Sequence, residues 1–356
     1  MRGIRVGRPA RSVRQVLAVA ATAGALSACA GVGTPPAHLM PLPQETVMLL
    51  GKKHMEAQAP IFIRIYKEES ELEVWKMRDD GRFYHLKTFP ICNWSGQLGP
   101  KLREGDRQSP EGFYTIAKEQ MNPNSQYYLA FNLGYPNPFD KSNRRTGDAL
   151  MVHGGCGSSG CYAMTDALME ELYALVREAF NGGQTVVHVH AFPFRMNSQN
   201  MVSHAKSEWQ GFWRTLKEGY DYFELTRQVP TVAVCNRRYV VNVRMSSGDP
   251  TKIDPAAACP TFLRPAPSPF TPRPGDQVAQ LDERVVVQGQ RLRTDPPGRE
   301  WDAPMRTHSG LIPQRFWMSA RASRTSRRVM HSRSTPTSAT RCLPSSNTAA
   351  RTLQGS

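Results

Sequence analysis

The sequence predicts a mainly β protein: a β-sandwich or barrel with one helix after a glycine-rich loop, a small helical and β C-terminal extension, and a disordered tail. Three observations carry this. Short runs of β-branched and aromatic residues, separated by turn residues, recur between residues 61 and 152. A single long segment after residue 164 spaces its apolar residues as a helix does. Beyond about residue 254 the composition turns to Pro, Ser, Thr and Arg, too poor in apolar surface to offset the entropy of ordering a chain.

Residues 44–55 suit a short amphipathic helix. Strands are expected at 61–66, 72–77 and 83–86, with Asp79-Asp80-Gly81 as a hairpin turn between the last two. A stretch punctuated by Gly and Pro, 95–110, precedes further short runs at 113–117, 127–133 and 149–152. Then comes the clearest helix. Thr165 or Asp166 caps it, Leu168, Leu172, Leu175, Val176 and Ala179 form its apolar stripe, and Asn181-Gly182-Gly183 ends it. Residues 185–192 return to strand character, 206–217 to helix, and 232–243 to strand.

The formal charge of +15 is confined to the ends. Five arginines and no acid lie in the first 30 residues, and from 261 onward fifteen arginines face six acids. Removing +5 and +9 from +15 leaves about +1 for the body, which gives no footprint for a nucleic acid. The basic start precedes an apolar stretch at 16–26, too short to span a bilayer, as in an export signal. Leu26-Ser27-Ala28-Cys29 then resembles the bacterial lipobox, making Cys29 a lipidation site and the membrane a partner through a lipid anchor; cleavage around Ala28-Cys29-Ala30 is the alternative. The expected organisation is 1–29 signal, 30–58 tether and short helix, 59–195 catalytic domain, 196–254 extension and 255–356 tail. Outside the cytoplasm, the remaining cysteines at 92, 156, 161, 235, 259 and 342 default to disulfides, with the pairing open and a local Cys156–Cys161 bridge among the options.

The chemistry is concentrated in residues 152–166, Val-His-Gly-Gly-Cys-Gly-Ser-Ser-Gly-Cys-Tyr-Ala-Met-Thr-Asp. A strand delivers His153 into a loop of small residues, and the loop presents Cys161 just before a helix N-terminus. A thiol of pKa about 8.5 needs help to ionise at neutral pH. An imidazole can take its proton, and helix-terminal amides favour the anion. Small residues at Ser158, Ser159 and Gly160 let backbone N–H groups face a developing oxyanion.

This segment resembles the signature of the L,D-transpeptidase (YkuD) family, a His-Gly followed by Ser-His-Gly-Cys. His153-Gly154 matches the first part and Ser158-Ser159-Gly160-Cys161 the second. Ser159 replaces the motif histidine and Ala163 the arginine that often follows, as in the YafK-like branch of murein L,D-transpeptidases and peptidoglycan–lipoprotein amidases. Weaker matches are Arg107-Gln108-Ser109-Pro110-Glu111-Gly112-Phe113-Tyr114, 192–196 and 209–223.

The resemblance implies a YkuD-like β domain that uses Cys161 as nucleophile and His153 as base. Gly154 orients the imidazole, and the amides of Ser159, Gly160 and Cys161 form an oxyanion hole. The implied substrates are peptidoglycan stem peptides, cut or joined at meso-diaminopimelate through a thioester. The branch adds outer-membrane (Braun-type) lipoprotein as a partner and hydrolysis as the outcome, in the periplasm at the outer membrane. Transpeptidation is one alternative, and a non-catalytic peptidoglycan-binding lipoprotein that keeps the fold is another.

Ser158 and Tyr135 are candidates for the rim of the substrate cleft, Tyr135 together with Asn137 and Asp140; a plain turn is the competing account. His153, Cys156, Cys161, His188 and His190 also have tolerable zinc spacing, but a zinc site would consume Cys161 as a ligand, so no metal is assigned. His188 and His190 share a strand face, where polar residues need no ligand. Trp209, Phe212 and Trp213 form a stripe suited to helix packing. No nucleotide, haem or flavin motif is present, and no cofactor is expected.

Overall fold

Alternation along the first strand sets the architecture. The computed structural model describes residues 34–245 and 252–272. The export segment, Cys29 and the tail from 273 lie outside the described residues. A short helix, α1 (Gln44–Lys52), precedes β1 (Ile61–Tyr66), which is buried along its whole length. Ile61, Ile63 and Ile65 face the larger core; Phe62, Arg64 and Tyr66 face the other way. A strand with two buried faces belongs at the centre of a sheet.

The chain continues through β2 (Glu71–Met77), β3 (Phe83–Pro90), β4 (Asn93–Trp94), β5 (Gly112–Ile116), β6 (Met121–Ser125) and β7 (Tyr128–Asn132). After α2 (Pro138–Ser142) come β8 (Met151–His153), β9 (Tyr162–Ala163), α3 (Asp166–Asn181) and β10 (Val187–Phe192). One five-stranded sheet has the order β3-β2-β1-β10-β5, and β1 and β10 run parallel at its centre. The second, β4-β9-β8-β7-β6, also has a parallel pair inside it, β8 with β9. Between the sheets, Ile63, Val74, Val189 and Ile116 meet Leu129, Phe131, Val152 and the apolar stripe of α3. The mainly β expectation therefore holds, with α3 supplying the helical wall. Thr165 is the residue that caps α3, accepting from Leu168 N.

The outer face of the first sheet is covered by later elements: α4 (Ser198–Ser203), α5 (Gln210–Thr226), and the hairpin β11 (Val232–Cys235) with β12 (Arg238–Val241). Trp213, Leu216 and Phe223 of α5 are buried against it, so the aromatic stripe packs a helix. Helix α5 runs nine residues past the expected end at 217, through Gly219. A Cβ at Gly219 would sit 2.6 Å from the Phe113 ring, so this glycine serves close approach of helix to sheet and does not stop the helix. The expected strand at 232–243 is a hairpin because Asn236 and Arg237 both take positive φ, as a two-residue primed turn requires.

Residues 255–272, which composition assigns to the start of the tail, carry structure. Short strands β13 (Arg244–Met245) and β14 (Phe262–Leu263) pair, Cys259 is bonded to Cys235, and Phe270 packs on the main core. Their polar composition hid a disulfide and a pair of strands that need little apolar surface of their own.

One buried ion pair ties these layers together. Lys67, just after β1, has its ammonium 3.0 Å from the Glu111 carboxylate, both side chains fully buried. Lys67 Nζ also donates to the carbonyls of Gln97, Gly99 and Ser109. Glu111 accepts from Gly99 N and from Trp213 Nε1 of α5. Burial pushes the Lys67 ammonium down, and the charge of Glu111 opposes that shift. Lys67→Met leaves the carboxylate and the carbonyls without their cation, and it should lower stability by about 3–5 kcal/mol, seen as a reduced urea midpoint with an unchanged slope.

Candidate active site

A parallel ladder sets the segments that carry His153 and Cys161 side by side. Val152 pairs with Tyr162 and His153 with Ala163. Alternation carried back from Ala163 places Cys161 on the side that His153 takes. The strand β9 is two residues long, held between β8 and β4, with Tyr162 OH donating to Pro110 O at 2.7 Å. It is too short to register as a pattern in sequence, and it is what sets the position of Cys161.

The His153 ring is 1% exposed. Its Nδ1 lies 2.6 Å from the carbonyl oxygen of Gly154. A carbonyl only accepts, so Nδ1 carries the proton and Nε2 is left as the basic nitrogen. Nε2 is buried and makes no hydrogen bond among the described residues. Burial lowers the pKa of the ring, and the Gly154 contact opposes this. Tyr127 covers the imidazole with ring centroids 4.7 Å apart. Gly154 cannot be larger: a Cβ there would stand 2.6 Å from Asp166 Oδ1, which itself accepts from Gly155 N at 2.8 Å.

Cys161 is fully buried, with Sγ 3.9 Å from Ala149 O. It takes part in neither disulfide. The local bridge with Cys156 does not form, because Cys156 is bonded to Cys92 with Cα atoms 5.3 Å apart. That bond staples the glycine-rich loop to the start of β4 and leaves the Cys161 thiol unoxidised. Cys156 takes positive φ there, and its N–H donates to Met164 O.

The turn around Cys161 is held by serines. Ser158 Oγ donates to Cys161 O at 2.7 Å and Ser109 Oγ to the same oxygen at 2.9 Å. Gly160 N donates to Ser95 Oγ at 2.6 Å. Gly160 has φ +107°, and a Cβ there would press on Leu150 at 3.3 Å. Of the residues expected to line the site, Ser158 thus builds the turn, the Ser159 side is exposed, and Gly160's amide already has an acceptor. Tyr135 is 4% exposed, and its hydroxyl donates to the carbonyls of Lys101 and Thr146. Asn137 and Asp140 form the cap of α2.

The residues of the zinc alternative are dispersed. Cys156 is in a disulfide, and His190 sits under α5 between Phe62 and Phe113, with ring centroids 4.7 and 4.6 Å away. Among the described residues, no group of three or more His, Cys, Asp or Glu could hold a metal ion. Ser95, Ser109, Cys92 and Tyr127 were not expected at the site. Ser95 and Ser109 lie in the stretch punctuated by Gly and Pro, and loops carry no period from which convergence can be read.

The L,D-transpeptidase catalytic domain family, YkuD, matches residues 60–189. Two proteins named putative L,D-transpeptidase YafK, from Escherichia coli K12 and O157:H7, are each 46% identical over 188 residues, 53% of this chain and 76% of theirs. Among solved structures, the helical cell shape determining protein Pgp2 from Campylobacter jejuni is 18% identical with a TM-score of 0.31, covering 52% of this chain and 79% of its own. Bd1075 from Bdellovibrio bacteriovorus is 22% identical with a TM-score of 0.29, covering 53% and 62%.

The buried imidazole makes a direct prediction. Its folded pKa is depressed, so the neutral ring's contribution to stability is present above the unfolded value of about 6.5 and is lost as pH falls through the folded value. Nitrogen-15 NMR of the His153 ring should show the neutral Nδ1–H tautomer at pH 7 and a protonation midpoint below about 6.5. A midpoint above that value, or the other tautomer, would contradict the geometry.

Proposed function

The chain belongs to the L,D-transpeptidase catalytic domain family, YkuD, and we propose that it cleaves amide bonds at meso-diaminopimelate in peptidoglycan through a Cys161 thioester resolved by water. The observation that carries this reading is the fixed tautomer of His153. Its proton is held on Nδ1 by Gly154, which leaves Nε2, buried and without a hydrogen-bond partner among the described residues, as the basic nitrogen.

His153 Nε2 accepts the thiol proton, and the Cys161 sulfur attacks the carbonyl carbon at the L-centre of the stem peptide. The carbonyl oxygen gains the negative charge beside amides of the catalytic turn. The intermediate collapses, the C–N bond breaks, and the amine leaves with the proton from His153. A water molecule then gives a proton to Nε2 while its oxygen attacks the thioester. The C–S bond breaks, yielding a carboxylate and restoring the thiol. An amine in place of that water would make the same centre a transpeptidase.

Ser159 and Ala163 stand where the family motif has histidine and arginine, which supports the hydrolytic outcome and an outer-membrane lipoprotein as the released group. The two disulfides suit an oxidising compartment, which agrees with export to the periplasm and lipid anchoring through Cys29.

The test is incubation of the purified protein, disulfides intact, with sacculi carrying covalently linked lipoprotein, followed by mass spectrometry of the released products. Wild type should release lipoprotein, and Cys161→Ala and His153→Ala should each be slower by at least about 10²-fold. New diaminopimelate crosslinks would identify a transpeptidase. Absence of any product and of an adduct on Cys161 would leave a peptidoglycan-binding protein.

A further inference from the structure

The three serines around Cys161 form a ring whose hydrogen-bond directions are all determined. The carbonyl of Cys161 only accepts, so Ser158 and Ser109 both donate to it. With its own proton committed, Ser109 Oγ accepts from Ser95 N at 3.1 Å. Ser95 Oγ accepts from Gly160 N, a backbone donor with one direction only. Ser158 has spent its proton on Cys161, so across the 3.3 Å contact between the two hydroxyls Ser95 is the donor and Ser158 the acceptor. The ring is closed by Ser109 N, which donates to Ser95 O at 2.9 Å. Ser95 thus grips the catalytic turn on both sides of the nucleophile: directly at the Gly160 amide, and through Ser158 and Ser109 at the Cys161 carbonyl.

We propose that Ser95 is a positioning residue for the reaction, fixing the Ser159–Gly160 and Cys161–Tyr162 peptide planes of the turn so that the thiol and the turn's amides keep the geometry of acyl transfer. This rests on Cys161 being the nucleophile. It reassigns the Gly160 amide: that N–H holds the turn through Ser95, and the oxyanion is left to neighbouring amides. Small displacements of a reacting group are costly, with about 1 Å worth on the order of 10²-fold in rate. A short polar side chain 65 or so residues away in sequence is therefore able to govern the nucleophile without touching substrate.

The experiment compares Ser95→Ala and Ser95→Thr with wild type, full-length and with disulfides intact, on peptidoglycan fragments bearing diaminopimelate amides. Ser95→Ala should lose about 10- to 100-fold in kcat with KM within about 3-fold, the pattern of an interaction that matters in the transition state. Its acid limb should stay where His153 puts it, and Ser95→Thr, which keeps the hydroxyl, should recover to within about 3-fold of wild type. Unchanged or faster turnover in Ser95→Ala would overturn the proposal, because freeing the Gly160 amide would then have cost nothing or supplied an oxyanion donor. So would a loss that follows the folded fraction on thermal unfolding and is equal in Ser95→Thr. A second readout separates this from failure of the proposed activity itself. Iodoacetamide labelling of the Cys161 peptide, followed against pH by mass spectrometry, needs no substrate. Ser95→Ala should change that rate by about 5-fold or more at one pH or another, and superimposable curves would refute the positioning role even if wild type released no product.

Discussion

The buried contact between Lys67 and Glu111 is the constraint on which the site depends. An ammonium and a carboxylate removed from water are tolerated only when their remaining valences are filled. Here they are filled by backbone of the 95–111 loop and by the indole of Trp213. The same charges therefore close that loop against the end of β1 and dock α5 above it. Ser95 and Ser109 sit at the two ends of the closed loop, Ser95 N bonded to Ser109 Oγ and Ser109 N to Ser95 O. The hydroxyls that reach the turn of Cys161 are held at one remove by a salt bridge that never touches it.

A second restraint comes from covalent chemistry. The Cys92–Cys156 bond joins the start of β4 to the glycine-rich loop, while β4 itself pairs with β9. The loop is thus fastened at Cys156 and at Tyr162, with Cys161 between. Cys161 keeps its thiol because the nearest cysteine in sequence, Cys156, is already bonded to Cys92, just before β4. The histidine is restrained in a different way, by a carbonyl that chooses its tautomer and a buried setting that keeps it neutral. The imidazole and the turn are thus both held in place by the protein's own groups, the kind of preorganisation on which electrostatic stabilisation draws.

The comparison with sequence is clearest element by element. Strand β1 occupies the expected residues because its alternation of aliphatic and aromatic side chains is a local signal with period two. Helix α3 starts at a capping threonine and stops at glycine, again local chemistry. Helix α5 was underestimated because Gly219 has two meanings, breaker or close-packing residue, and only the Phe113 ring beneath it decides. Composition assigns 255–272 to the tail because a disulfide and a two-residue strand leave almost no trace in it.

By itself the sequence determined the mainly β class and the pairing of His153 with Gly154 ahead of a small-residue turn and Cys161. Those features are contiguous, and their chemistry follows from residue type. The tertiary structure alone decided which cysteine Cys156 binds, that Tyr135 belongs to a packed loop, and that Ser95 and Ser109 converge on Cys161 from a segment 50 or more residues away. Hydrogen bonds between distant loops depend on where the chain returns in space, and side chains as small and common as serine carry no signal of that return.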